Sequence, residues 1–365
     1  SLRFHRLLIV IKQTAYEEYS LLKSRGLAPK ALRWGRLESR FNSHKTCVNN
    51  LLDILNKHNV QYNWVNRVEL DRQHLADVDL VIAVGGDGTC LSAAHFLDHG
   101  TIPLLGVNSD PITEDQKSTL TKEVDERRSH GALCMFSSNN LEEGVTKVLY
   151  GGGKLVSRAR IQCIVKSTFS ETRLVPALND LLIANPSPAA VSRFRMGLLH
   201  EVDMPAPLRD GQGGIAEAKP GETFQQTRPF HPPVSAQYGT VTRFNGIPYD
   251  ITDSLNVWSS GIWVSTATGS TAAMEAAGGM PMKRSSTELQ YVIREHMVER
   301  NNPTGRARDN MLLKAGEQLH IRWNSQTGRI FMDGSHLTHD LELGDEVLLN
   351  SKAPPLKLFV QEGQE

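Results

Sequence analysis

VDLVIAVGGDGT, residues 78–89, is a short apolar run that breaks directly on a glycine turn, and its reading decides the fold. An uninterrupted apolar run of that length, closed by turn residues, is the pattern of a buried strand. Gly85-Gly86-Asp87-Gly88-Thr89 then opens a stretch, Thr89 to Leu97, that reads as a helix. The carboxyl end of a strand in an open parallel sheet is where such sheets bind ligands. Glycines there let a phosphate approach the backbone closely, and the N–H groups of the first helical turn point at an anion. Asp87 would repel a phosphate, which suggests a second task for it: gripping a sugar hydroxyl or a metal. The competing reading is a tight turn in which Thr89 caps the helix and Asp87 is merely exposed. The segment alone does not choose between the two.

Outward from this turn, Arg6 to Lys12 forms another buried strand, and Val48, Leu51, Leu52, Ile54 and Leu55 recur at near-helical spacing. Gln61 to Val65 and Pro103 to Val107 supply further strands. Strands alternating with helices predict a Rossmann-like parallel sheet covered by helices, an α/β domain over residues 1–150. Past Gly151-Gly152-Gly153 the texture changes to successive strands: Lys154 to Lys166, Arg173 to Ala184, Ile262 to Thr266, Gln318 to Trp323 and Arg329 to Met332. A mainly antiparallel β-sandwich domain is expected over 151–345, with one helix at about Thr271 to Ala277. The segment 346–365 is expected to return toward the first domain. Residues of roughly 200–250 are rich in proline and glycine without a sustained period, and read as a disordered surface insertion rather than a lid.

The 365 residues balance 40 Lys and Arg against 40 Asp and Glu, so no global basic field points to nucleic acid. No apolar run approaches the roughly 20 residues a membrane helix needs. Cys47, Cys90, Cys134 and Cys163 show no zinc or disulfide spacing, which fits a reducing compartment. The 13 histidines do not cluster. A lone one such as His95 or His130 reads as a packed or surface residue, and no metal ligand is assigned.

GGDGT after a buried strand resembles the signature shared by NAD kinases, diacylglycerol and sphingosine kinases and, more distantly, 6-phosphofructokinases. Ser265-Thr266-Ala267-Thr268-Gly269-Ser270-Thr271-Ala272-Ala273, continued by Ala277-Gly278-Gly279, resembles the TPTGSTAY element of NAD kinases. Ala177-Leu178-Asn179-Asp180 resembles that family's dinucleotide-binding Asn-acid pair, while Asp333-Gly334 and Leu343-Gly344-Asp345 are similar to its closing strands. Gly106 to Pro111, Asn179 to Phe194, Ser259-Ser260-Gly261 and Leu289 to Glu295 look like the plant-type NADH kinases in particular. The resemblance covers nearly the whole chain except the proline-rich insertion.

It implies an ATP-dependent enzyme that phosphorylates the adenosine-ribose 2′-hydroxyl of NADH or NAD, with a divalent cation such as Mg²⁺ arriving on the ATP phosphates. Asp87 would orient that hydroxyl and take its proton. Gly85, Gly86, Gly88 and Thr89 would admit the phosphates. Asn179 and Asp180 would hold the ribose or nicotinamide side, and Thr268, Gly269, Ser270, Thr271 and Ala272 would offer donors near the dinucleotide. For Ser270 and Thr271 taken alone, simple helix capping is the better reading; their co-occurrence with GGDGT favours the binding role. The resemblance also implies a homodimer paired through the β domain. Two alternatives remain: a catalytically silent dinucleotide sensor on the same fold, and a GGDGT lipid kinase.

Several positions depart from the family pattern. Ala273 stands where a tyrosine stacks on adenine, Ala267 where proline is common, Ser335 where glutamine follows Asp-Gly, and Ser92 where Arg or His follows GGDGT. Ser260 replaces an aspartate that meets the nicotinamide end, a change shared with plant-type NADH kinases. Losing that carboxylate predicts weaker attraction for the cationic ring of NAD and a preference for NADH. Some plant relatives end in a peroxisomal tripeptide; Gly363-Gln364-Glu365 is not one, and a cytosolic protein is the expectation.

Overall fold

The computed structural model describes residues 1–111, 131–202, 241–298 and 305–363. Its first sheet is built on β1 (Arg6–Ile11), β2 (Gln61–Asn66), β3 (Leu80–Gly85) and β4 (Leu104–Asn108), in the order β2-β1-β3-β4 and all parallel. Every residue of β3 and β4 is buried, as the continuous apolar run requires of a strand covered on both faces. Short β5 (Phe136–Ser137) also pairs with β4.

Among the described residues, four helices clothe the sheet: α1 (Ala15–Ser24), α2 (Trp34–Lys57), α3 (Asp87–Phe96) and α4 (Leu141–Leu149). Cys47, Leu51 and Leu55 of α2 and Val145 and Val148 of α4 pack with Leu7, Ile9, Ile82 and Leu105 on one face. Cys90, Ala93 and Ala94 of α3 pack with Leu8, Val10, Val81 and Leu104 on the other. The strand alternation of β1 thus feeds two separate cores.

The remaining strands form a sandwich. One sheet runs β11-β12-β10-β16-β19-β7-β8, the other β15-β14-β13-β9-β17-β18. Their bounds are β7 (Gln162–Lys166), β8 (Glu171–Arg173), β9 (Asp180–Ala184), β10 (Ser192–Glu201), β11 (Val241–Phe244), β12 (Ile247–Ser259), β13 (Gly261–Thr266), β14 (Leu289–Arg294), β15 (Asn310–Leu313), β16 (Gln318–Trp323), β17 (Thr327–Met332), β18 (Leu337–Glu342) and β19 (Glu346–Asn350). One continuous core fills the space between them, drawing Phe194, Val257, Ile321, Trp323 and Val347 from the first and Ile183, Ile262, Val264, Tyr291 and Ile330 from the second. The rings of Phe194 and Trp323 stack 6.1 Å apart within it.

The chain crosses between the two bodies twice. The stretch 154–166 is two strands in different sheets rather than one: β6 (Lys154–Arg158) belongs to the first sheet and β7 to the sandwich. At the other end β19 stays in the sandwich, while β20 (Leu356–Val360) returns to lie between β4 and β6 in the first sheet. The division points at 150 and 345 therefore each fall one strand before the change of sheet.

The expected helix at Thr271 to Ala277 is shorter, a 3₁₀ turn Gly269–Thr271 followed by α5 (Ala273–Ala276). Around the proline-rich segment, β10 reaches Glu201 and β11 begins at Val241, so both margins of the 200–250 stretch are ordered strands. Residues 203–240 lie outside the described residues, as do 112–130 with His130. Among the described residues no helix is long and apolar enough to cross a membrane.

Candidate active site

Helix α3 starts two residues earlier than expected. Gly86, in extended conformation, occupies the cap position, Asp87 is the first helical residue, and Thr89 lies inside the first turn. Thr89 is buried, and a Cβ added to Gly85 would fall 2.3 Å from its Oγ1 and 2.8 Å from the Lys12 Cβ. The Thr89 side chain therefore fills the space behind the glycine turn, and Gly85 is required for the close approach. Asp87 is half-buried rather than merely exposed, and its Oδ1 accepts a hydrogen bond from the Leu133 N–H at 2.8 Å. Both elements of the turn-only reading, Thr89 as cap and Asp87 as a solvent-facing bystander, are thus corrected.

The far end of α3 is held by residues of the sandwich side. The buried Arg160 guanidinium donates to the carbonyls of Ala94, Leu97 and Asp98, and its Nε donates to Pro354 O. Cations at a helix carboxyl terminus satisfy its orphan carbonyls and favour its dipole. Burial pulls this guanidinium down to about 10, with Asp98 and Asp333 opposing. His95, in the last turn, lies with its Nε2 2.8 Å from Asp333 Oδ2.

Asp333 also organises the second predicted motif. Its Oδ1 accepts from the N–H groups of Asn179 (2.6 Å) and Asp180 (3.1 Å), and its Oδ2 from that of Leu178 (2.8 Å). Leu178 packs into the same core as the inner face of α3. Burial first, and the Asp333 carboxylate second, raise the Asp180 carboxyl to about 7.

The third motif is pressed against the second. Thr266 N–H donates to Asn179 O at 2.9 Å, and Thr266 Oγ1 donates to Leu178 O at 2.5 Å. A Cβ on Gly269 would lie 2.2 Å from Asn179 O, so only glycine fits there. The chain thus brings together Asn179, Asp180, Thr268 and Gly269, and connects them through Asp333 and His95 to the helix that begins with Asp87. That helix spans about 12 Å between Asp87 and His95 at 1.5 Å per residue, so the two groups of residues sit at opposite ends of α3.

Ser270 does not take the expected part. Its side chain is fully buried, donates to Ala267 O at 2.8 Å and accepts from the Met282 N–H at 2.9 Å. Its hydroxyl shapes the loop and has no donor to offer a ligand. Thr271 and Ala272 are exposed, and Thr268 is half-buried. The Ser92 hydroxyl folds back on Gly88 O. Ser260 donates a short hydrogen bond to the Glu295 carboxylate. A carboxylate therefore stands one side chain away from position 260, so the substitution by Ser260 does not by itself empty this place of acidic groups.

Other residues at the turn gave no signal in sequence. Lys12 follows β1 and donates its N–H to Val84 O at 3.0 Å, and Arg67 follows β2 with its guanidinium reaching toward Gly88. Behind them the buried His44 holds Ser109 Oγ at 2.8 Å, and the Ser109 hydroxyl donates to Gly85 O. Burial, with the Lys12 charge second, drops the imidazole to about 4, so it is neutral at pH 7. No cluster of three or more His, Cys, Asp or Glu able to hold a metal occurs among the described residues. A surface depression of about 770 Å³ between α2 and α4 is lined by none of these side chains.

This geometry, a parallel sheet with a glycine–aspartate turn tied to an antiparallel sandwich, is that of a phosphotransferase acting on nucleotides. The ATP-NAD kinase N-terminal domain model matches residues 13–110. The chain is 34% identical over 334 residues to the probable NADH kinase of Oryza sativa subsp. japonica, covering 92% of this chain and 86% of that protein. It is 32% identical over 362 residues to the NADH kinase of Arabidopsis thaliana, covering 98% and 96%. The fold matches a crystal structure of an NAD kinase from Archaeoglobus fulgidus in complex with ATP (TM-score 0.57, 14% identity, 98% and 95% covered). It also matches yeast NADH kinase complexed with NADH (TM-score 0.58, 13% identity, 99% and 85% covered). The chain belongs to the NAD kinase family.

Proposed function

We propose that this kinase transfers the terminal phosphoryl group of ATP to the 2′-hydroxyl of the adenosine ribose of NADH or NAD, giving NADPH or NADP and ADP. The observation that carries the assignment is the placement of Asp87. It is the first residue of a helix whose cap is a glycine at the carboxyl end of a parallel strand, and its carboxylate is held by the Leu133 N–H.

Phosphoryl transfer passes through a loose, highly charged transition state, so the protein chiefly positions and neutralises. A carboxylate is a weak base toward an alcohol, and fixing its direction matters more than raising its basicity. Asp87 accepts the hydrogen bond of the ribose hydroxyl and takes its proton as the new O–P bond forms and the bond to the β-phosphate oxygen breaks. A divalent cation travelling with ATP neutralises charge on the phosphates. Asn179 and the 268–269 turn, rigidly joined to each other, hold the remainder of the dinucleotide. Ser270 contributes by fixing that turn.

The β sandwich exposes Val191, Trp258 (55% exposed) and Met297, an apolar group that supports pairing of two copies through this domain. Light scattering at micromolar concentration tests this: the mass of one chain would refute it.

The decisive assay supplies Mg-ATP with NADH, NAD or diacylglycerol and identifies the product. NADPH and NADP are expected. NADH binding without NADPH formation would favour the silent sensor, for which the Ser92 hydroxyl bonded back to Gly88 O is the supporting observation, and phosphatidate would favour a lipid kinase.

A further inference from the structure

The buried residues of α2 are His44, Cys47, Val48, Leu51, Ile54 and Leu55, so an imidazole heads a stripe that is otherwise apolar. A polar ring in that place must be hydrogen-bonded to offset its lost hydration. Its Nδ1 lies 2.8 Å from the Oγ of Ser109, the residue that follows β4. Ser109 has one hydroxyl proton, which goes to Gly85 O at 3.3 Å, and the Ser109 N–H reaches the same carbonyl at 2.9 Å. The ring must then be the donor in its own contact: Nδ1–H to Oγ, and Oγ–H to Gly85 O. One helical turn earlier, Arg40 holds its Nε 3.7 Å from Asp110 Oδ2. Helix α2 thus grips two consecutive residues beyond β4, from two successive turns.

The carbonyl so held belongs to the peptide that joins β3 to the glycine turn. Two glycines in succession carry no side chain to restrict their rotation. The direction of the turn must therefore come from hydrogen bonds made to it from outside. In a trans peptide the C=O and the N–H point opposite ways. Fixing the Gly85 oxygen toward Ser109 turns the Gly86 N–H away from it and sets the plane from which the chain continues. Gly86 O then accepts the N–H groups of Thr89 at 2.9 Å and Cys90 at 3.1 Å, which starts α3 with Asp87 as its first residue.

We infer that His44 is a positioning residue for the phosphoryl transfer: through Ser109 it fixes the Gly85 carbonyl, and thereby the direction in which Asp87 presents its carboxylate. The inference rests on the kinase reading for the reaction it serves. His44 and Ser109 are 5% and 2% exposed, so both act on a substrate only by way of the turn.

The test joins a spectroscopic reading to a kinetic one, on the full chain. Nitrogen NMR of histidine-labelled protein, with His44 assigned by its loss in His44→Leu, should show a neutral Nδ1–H ring whose signal moves in Ser109→Ala. An Nε2–H ring, or one indifferent to Ser109→Ala, overturns the inference. In His44→Leu, kcat with Mg-ATP and NADH should fall about ten-fold, the scale of a small misplacement of a reacting group. NADH should still bind stoichiometrically, with KM within about two-fold of wild type, since the loss falls on the transition state. Ser109→Ala should behave alike, and the double variant should be no worse than about two-fold below either single one, because both remove the same device. His44→Asn, whose amide N–H stands as many bonds from the backbone as the ring Nδ1–H, should keep kcat within about three-fold. Wild-type kcat in folded His44→Leu, multiplied losses in the double variant, or an Asn variant as slow as the Leu one would each overturn the inference. If His44→Leu fails to fold, Ser109→Ala, which removes a single hydroxyl, decides by the same criteria. A wild type with the Nδ1–H ring that forms no NADPH would refute the kinase reading and with it the positioning role, while the brace between α2 and the turn stands.

Discussion

The Nε2 of His95 lies 2.8 Å from the Oδ2 of Asp333, and this contact joins the helix that begins at Asp87 to the turn that carries Asn179 and Asp180. Asp333 is fully buried at its side chain and sits at φ 50, a left-handed conformation, while its carboxylate also takes three consecutive backbone N–H groups. One side chain thereby fixes the distance between the two halves of the site.

Replacing Asp333 by Ala leaves those three N–H groups without an acceptor. Each buried donor so stranded costs about 1–3 kcal/mol, and with partial relaxation a loss of roughly 2–4 kcal/mol is expected. Urea denaturation measures it, and an unchanged midpoint and slope would show that Asp333 does not support the turn. Binding of NADH should weaken as well, since Asn179 is released.

Asp87→Asn keeps the shape and the acceptor oxygen for the Leu133 N–H while removing the charge. Turnover should fall by about 10²–10⁴, the usual worth of a positioned proton acceptor. NADH affinity by fluorescence titration should stay within a few-fold. Wild-type turnover would remove Asp87 from the chemistry.

Asp180 gives a pH signature. Burial and Asp333 raise its carboxyl to about 7 in the fold against 3.8 for the ordinary group. The folded state therefore holds this proton more tightly than the unfolded chain. Its stabilising contribution is complete below about pH 4, is lost as pH rises toward 7, and stays lost above that. Asp180→Asn has no such proton to lose. Its stability advantage over wild type should grow from pH 4 to pH 7 and reach on the order of 2–4 kcal/mol at pH 8. Parallel urea curves at pH 5 and pH 8 with an equal gap would contradict the assignment.

Glu295, hydrogen-bonded to Ser260, supplies a carboxylate where residue 260 lacks one. Glu295→Gln should lower kcat/KM for NAD more than for NADH, shifting the ratio toward NADH by about three- to ten-fold, one charge at partly screened range being worth roughly 1 kcal/mol. An unchanged ratio would place the nicotinamide ring away from this pair.

The parts of the site legible in sequence are those carried by consecutive residues. GGDGT, Leu178 to Asp180 and Thr266 to Gly269 each form one turn, and each turn's residues meet in space as they do in the chain. Thr89 offers itself as a cap because Ser, Thr, Asp and Asn favour that position, whereas Gly86 takes it and the helix starts earlier. Lys12 and Arg67 lie far apart in sequence and become neighbours only through the parallel pairing of β1 with β2, which no local pattern reports. Asp333 showed only an Asp-Gly pair, and its three donors come from a turn more than 150 residues away. Helix α1 buries no residue, so no apolar stripe marks it in the sequence; in the fold a capping box of Thr14 and Glu17 opens it. The strands β10 and β12 were hidden beside the proline-rich stretch they flank.

Strand β20 has a consequence for biogenesis. Residues 356–360 complete a sheet whose other parallel members are all made before residue 138. Domains ordinarily fold as units, amino-terminal first, during synthesis. Here the amino-terminal body must wait with an unfilled gap between β4 and β6 until β20 leaves the ribosome. Loss of residues 354–365 would therefore disable the half of the molecule that was translated first.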